Sequence, residues 1–210
     1  MNAIRRQLVR LGILAAAGWC SILPSFGQIS EEVLKRQISG YANDLCGVCH
    51  HAPGARKELA PRIAGQQRAY IEAQLNAFRE QSRLEPEAYD CMWGLSSALS
   101  EGLVAALAGY FASQAPLPGI RDDPELIDKG RRVFNRAGQS EQMSSCAQCH
   151  GTNAEGSGGI PRLAGQLGPY LNRQLHVIRA KFRTSRVMHG MVQNLSDDEM
   201  YWLAVYLQSL

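Results

Sequence analysis

The chain predicts an all-α fold built as two similar halves, and three features carry that reading. Apolar residues recur at helical spacing and nowhere alternate at period two for long enough to make a strand. A five-residue motif, Cys-x-x-Cys-His, occurs twice about a hundred residues apart, and the segments that follow the two copies match one another. With 45% hydrophobic and 20% charged residues in 210, the chain is too apolar to stay disordered and too charged to cross a membrane many times.

Residues 1–27 stand apart from this fold. Arg5, Arg6 and Arg10 come without an acid, Leu11–Leu23 is almost wholly apolar, and Ser25-Phe26-Gly27 offers small residues at both positions that a signal peptidase reads. This is a secretory leader cut before Gln28; an uncut leader kept as an anchor is the alternative, although its apolar part is shorter than the roughly 20 residues that span a bilayer. Trp19 before Cys20 speaks against a lipid-attached cysteine. All of the excess positive charge lies in the leader, so the mature chain has 19 basic and 19 acidic residues, divided near Pro118 into parts of net −2 and +2. Such a dipole lacks the basic balance of a nucleic-acid binder. The densest basic run, Arg173, Arg179, Lys181, Arg183 and Arg186, suits a solvated helix face or an acidic protein partner.

Four of the five mature cysteines lie in Cys46-Gly47-Val48-Cys49-His50 and Cys146-Ala147-Gln148-Cys149-His150. In an exported chain this pattern marks c-type haem attachment. Two thiols three positions apart each add to one vinyl group of the same porphyrin, and the next residue sets an imidazole beneath the iron. A zinc site needs two cysteine pairs close enough to share one metal, and these pairs are a hundred residues apart. Two covalently bound haem c groups are therefore expected, attached at Cys46 and Cys49 and at Cys146 and Cys149, with His50 and His150 as proximal ligands.

At an offset of 100, Pro61-Arg62-Ile63-Ala64-Gly65-Gln66 falls on Pro161-Arg162-Leu163-Ala164-Gly165-Gln166, and Tyr70, Gln74, Leu75 and Arg79 fall on Tyr170, Gln174, Leu175 and Arg179. Further on the offset is 96, so Leu99-Ser100 meets Leu195-Ser196 and Tyr110 meets Tyr206. The chain is a tandem duplication with one four-residue length change. Its expected organisation is a leader at 1–27, a first domain at 28–115, a linker at 116–120 whose prolines make it short and stiff, and a second domain at 121–210. Each unit is small for an independent core, and a covalently held haem supplies the missing apolar surface. Helices are expected over Glu31–Cys46, Gln67–Gln81 and from the Ser100 cap onward, then over Pro124–Cys146, Gly168–Phe182 and from the Ser196 cap to the end.

The sixth iron ligand decides between electron carriage and chemistry, and it is expected from the loop before each last helix. Met92 stands eight residues before Ser100 and Met188 eight before Ser196, so the repeat presents a methionine at equivalent places. A thioether favours ferrous iron and raises the potential. With His50 and Met92, and His150 and Met188, on the two irons, no position remains for a substrate. Met191 rivals Met188; Met143 and Met200 read as packing residues, and His51 and His189, which have no counterpart in the other half, as surface or propionate-side residues. Cys91, unpaired beside Met92, reads as a buried inert side chain. Its sharper alternatives are a thiolate ligand to the first haem or an intermolecular disulfide.

Two Cys-x-x-Cys-His motifs, each followed by Pro-Arg-Ile/Leu-Ala-Gly-Gln, a Tyr-bearing helix, a methionine and a Leu-Ser-led last helix, resemble the dihaem cytochrome c4 family over nearly all of the mature chain. The resemblance implies two cytochrome c domains, each wrapped on one haem and related by a pseudo-twofold axis. It also implies that the Pro61 and Pro161 carbonyls accept the proximal imidazole N–H, and that Tyr70 and Tyr170 bond haem propionates or the other half. The first motif departs from the pattern, continuing as His51-Ala52-Pro53-Gly54-Ala55 where the second has the glycine-rich Gly151–Gly156.

The function that follows is a periplasmic electron shuttle between a respiratory complex or dehydrogenase and a terminal oxidase, working by outer-sphere transfer in salt-sensitive encounters. It would be a monomer or weak dimer, free or held at the membrane surface. A dedicated cytochrome subunit of one dehydrogenase is a close variant. A dihaem enzyme similar to thiosulfate dehydrogenases, with Cys91 on the first haem or that haem open, is the competing class.

Overall fold

A computed structural model of the chain describes residues 31–50, 60–136 and 145–210, and within them helices recur in the same order in both halves. In the first half α1 (Glu31–Tyr41) runs through a wide π turn, Ala42–Cys46, into α2 (Gly47–His50); α3 (Arg68–Arg79), α4 (Trp93–Ser97) and α5 (Glu101–Ala112) follow. The second half has α6 (Pro124–Asn135), α7 (Cys146–His150), α8 (Gly168–Arg179), α9 (Arg186–Val192) and α10 (Asp197–Ser209). Met1–Lys35 and Arg36–Leu210 are separate units, and both Cys-x-x-Cys-His motifs with everything after them belong to the second. The expected leader, residues 1–27, lies outside the described residues. No single helix among the described residues is long and apolar enough to cross a membrane.

The ends of the helices follow from their caps. Ser100 Oγ accepts the Leu103 N–H at 3.3 Å, and Asp123 Oδ1 accepts the Glu125 N–H at 2.8 Å beside Pro124 at the first position of α6. Ser196 and Glu199 form a reciprocal capping box at α10, with bonds of 3.0 and 3.1 Å. The two Tyr-bearing helices stop earlier than expected, at Arg79 and Arg179. Each is closed by a left-handed residue, Gln81 (φ 53) or Lys181 (φ 62), and by a bond from Ser82 N to Ala77 O at 2.9 Å or from Phe182 N to Val177 O at 3.1 Å.

The helix expected over Pro124–Cys146 is also shorter. It ends at Asn135, where Arg136 turns extended, and α7 starts afresh after Ser145. The stretches expected as loops before the last helices instead form the π turn Ala88–Met92 with α4, and α9. Elements of five to seven residues carry too few apolar positions to show a period, and packing rather than propensity holds them.

Each half has its own core. α5 buries Val104, Leu107, Ala108 and Phe111 against Ile71 and Leu99, and α10 buries Leu203, Ala204, Tyr206 and Leu207 against Phe134 and Leu171. Each of the larger side chains adds about 1.5–3 kcal/mol on burial. α6 and α10 cross at Gly130, where a Cβ would lie 2.0 Å from the Trp202 carbonyl oxygen, so the two backbones touch.

The halves meet through equivalent residues. Gln66 accepts the Arg162 N–H (2.7 Å) and donates to the Arg162 carbonyl (2.9 Å), while Gln166 does the same to Arg62 (2.8 and 2.8 Å). Leu84 N bonds Phe182 O at 2.7 Å, and Arg83 pairs with Arg183 as an antiparallel bridge. The connection between the halves crosses Gly65 (φ +69) and Gly165 (φ +72), where a Cβ would come within 2.8 Å of Pro116 and of the Leu117 carbonyl.

Candidate haem sites

In the second half Cys146 and Cys149 lie one turn apart on α7, with His150 closing the helix. Residues three apart share a helix face, so both thiols leave from one side. In the first half Cys46 ends the π turn, and Cys49 and His50 lie on α2. Cys46 and Cys146 are half-buried against their cores, and burial pushes both thiols above the ordinary value. Cys49 and Cys149 are exposed.

Each imidazole is fixed at one edge. His50 Nδ1 lies 2.7 Å from the Pro61 carbonyl oxygen and His150 Nδ1 lies 3.0 Å from that of Pro161. A carbonyl can only accept, so Nδ1 carries the proton and Nε2 is the edge an iron would take. Burial makes His150 a weaker base, and its bond to Pro161 works partly against that. The loop after His150 is itself closed: Gly156 N donates to His150 O at 2.7 Å, and a Cβ on Gly156 would meet the Pro161 backbone at 2.4 Å. The corresponding segment of the first half, with His51, lies outside the described residues.

Met92 ends the π turn and Met188 sits in the first turn of α9, both half-buried. Met188 packs against Ile178, Val192 and Met200. Met191 is half-buried on the same short helix, and His189 turns Nδ1 toward the Ile178 carbonyl at 3.2 Å. Met200 is fully buried beside Ile178 and Val192, and Met143 lies outside the described residues. Cys91 corrects the expectation of a buried side chain: it is exposed at the rim of the π turn. Partial burial raises its thiol, and Asp90 pushes the same way.

The basic run corrects a second expectation. Arg173 pairs with Glu87 of the first half at 2.8 Å and Arg179 with Asp197 at 2.7 Å. Arg183 reaches across to Tyr70 and Gln74 and also bonds Gln174, leaving Lys181 and Arg186 as the members exposed to solvent. Arg83 joins this cluster with bonds to Gln74 (3.2 Å) and Gln174 (3.1 Å). Tyr70 therefore serves the other half, and Tyr170 is buried beside both arginines. Sequence reasoning passed over Arg83, Glu85 and Glu87. The offset of 100, which lays Arg83 on Arg183, was the available signal.

The donor chemistry fits a covalently attached porphyrin: paired thiols three residues apart, an imidazole locked at Nδ1, and an apolar core behind. Two such halves make a dihaem c-type cytochrome. The family model "Cytochrome c" matches residues 127–210, and cytochrome c4 of Pseudomonas aeruginosa is 32% identical over 79% of this chain and 84% of its own. The chain belongs to the dihaem cytochrome c4 family. Cytochrome c-552 of Acidithiobacillus ferridurans is 35% identical over 79% of this chain and 73% of its own. The solved cytochrome c4 of Acidithiobacillus ferrooxidans superposes with a TM-score of 0.73 at 35% identity, over 79% of this chain and 98% of that one. A protein of Thiomonas intermedia named thiosulfate dehydrogenase electron acceptor is 28% identical over 77% of this chain and 76% of its own. The chain thus carries two covalently bound haem c groups and is an electron carrier that works with redox protein partners.

Proposed function

We propose that this cytochrome is a periplasmic shuttle that takes electrons from a respiratory complex or dehydrogenase and delivers them to a terminal oxidase. The leader at 1–27 is removed on export, and the domains run over 28–115 and 121–210 about a linker at 116–120. Cys46, Cys49, His50 and Met92 hold the first haem, and Cys146, Cys149, His150 and Met188 the second. Bound haem supplies a one-electron couple at each site. The chain's part is to fix the imidazoles through Pro61 and Pro161, and Met92 and Met188 would supply the further ligands, which would leave no vacant position for a substrate.

The single observation that carries this reading is the equivalence of the two sites. Each has a proline-locked histidine eleven residues ahead of its proline, and a half-buried methionine in the helical segment before the last helix. The test is the far-red methionine-to-ferric-iron absorption of the oxidised holoprotein. Intensity for two haems, lost by half in Met92→Ala and by half in Met188→Ala, supports the carrier; intensity for one haem in the unmodified protein overturns it.

The Thiomonas intermedia relative's name favours a second reading of the donor. In it this protein accepts electrons from a thiosulfate-oxidising dehydrogenase. Faster reduction by such an enzyme than by a respiratory complex, measured at the same low salt, separates the two donors.

A further inference from the structure

The length change between the halves falls between Arg83 and Met92 on one side and Arg183 and Met188 on the other. Within the longer stretch lies Glu85, 1% exposed, whose Oε1 receives Arg83 Nε at 2.8 Å and also Arg83 Nη2. Its Oε2 has no hydrogen-bond partner among the described residues, so this carboxylate depends on Arg83. Arg83 is 6% exposed and reaches both Gln74 of its own half and Gln174 of the other. Arg183 bonds the same two glutamines, so a second guanidinium joins the pair at the contact between the halves.

The backbones of this ion pair hold the segment that ends in Met92. Glu85 O accepts the Ala88 and Tyr89 N–H groups at 3.0 and 3.3 Å, which starts the π turn. Arg83 O accepts the Trp93 indole N–H at 2.9 Å, just past Met92, and the Tyr89 ring packs edge-on to Trp93 at 5.2 Å. Met188 is held differently. Its N–H meets Ser185 Oγ at 3.4 Å, and its side chain packs on Ile178, Val192 and Met200, all within the second half.

We infer that Glu85 is a positioning residue for Met92, through which the contact between the halves holds the ligand segment of the first haem and leaves that of the second unaffected. A buried ion pair that loses one partner leaves the other charge unsatisfied. Arg83 then has to leave the cluster or repack, and the carbonyl that anchors Trp93 moves with it. This inference rests on Met92 being the first haem's ligand.

The test is displacement of the methionines by imidazole in the oxidised holoprotein, read from the far-red absorption for each haem, with far-ultraviolet helicity as a control. In Glu85→Ala one haem should yield at roughly tenfold lower imidazole while the other stays within about twofold. In Glu85→Gln, whose amide oxygen still accepts from Arg83, most of the loss should be restored. A Met188→Ala background, where the remaining signal belongs to the first haem, identifies the affected site. Trp93→Phe cuts only the indole anchor and should act in the same direction, so it decides the matter if Glu85→Ala fails to fold. Equal weakening of both haems, or no change in either, overturns the inference. Undiminished far-red intensity in Met92→Ala would instead overturn the ligand assignment beneath it.

Discussion

Gln66 and Gln166 each close a two-bond ring on the backbone of the opposite half's arginine, Gln66 on Arg162 at 2.7 and 2.9 Å and Gln166 on Arg62 at 2.8 and 2.8 Å. Both glutamines are nearly buried, at 7% and 6% exposure, so water cannot readily replace the bonds. Gln66→Ala should leave backbone groups of Arg162 unpaired at a cost of about 1–3 kcal/mol each. Gln166→Ala should do the same at Arg62. Thermal unfolding of the two single variants and the double variant checks this; additive losses are expected if the rings act independently.

Gly130→Ala should be among the most damaging single changes in the second half. Its Cβ would sit 2.0 Å from the Trp202 carbonyl oxygen and 2.6 Å from Tyr206 Cβ, and neither backbone can yield without separating α6 from α10. A loss of about 3 kcal/mol is expected, with Tm falling by roughly 5 °C or more. A melting curve that matches the unmodified protein would show that the helices do not meet there.

Met200→Ala separates packing from ligation. Met200 is fully buried with Ile178 and Val192, so its truncation should cost about 2–5 kcal/mol. The far-red absorption of both haems should survive in the folded fraction. Loss of the band for one haem at full helicity would make Met200 the ligand instead of Met188.

Acid should loosen the contact between the halves through Glu87. Partial burial alone would raise this carboxyl, but its hydrogen bond and proximity to Arg173 win and hold it below the ordinary carboxylate value. A group with a lowered folded pKa contributes stability that is present above its unfolded value of about 4.3 and lost as pH falls through the folded one. Glu87→Gln should therefore flatten the acid limb of the stability profile below pH of about 4.3, with little change at pH below the folded value, where the native carboxyl is protonated as well. Both side chains of the pair are about a third exposed, so added salt should shrink the effect.

The duplication, the all-α class, both cysteine pairs and the caps at Ser100 and Ser196 were legible in the sequence because each depends on a short spacing or a repeat. The proline-locked histidines followed from the family resemblance and are in place. What sequence did not disclose was set by tertiary contact. The segments around Met92 and Met188 read as loops because they are too short to show a period. Arg173, Arg179 and Arg183 read as a solvated face because their partners Glu87, Asp197 and Tyr70 lie far away in the chain. Cys91 was judged by residue type, and its position on the outer side of a π turn exposes it.

The exchange between Gln66 and Gln166 is isologous: the same patch of each half meets itself, as in a twofold homodimer. An unfused half bearing Pro-Arg-x-Ala-Gly-Gln would find the same bonds on a second copy of itself, but only as far as its concentration drove the encounter. The chain that joins the two halves makes that encounter intramolecular, at an effective concentration set by tether length. The pairing of the two halves thereby becomes independent of dilution.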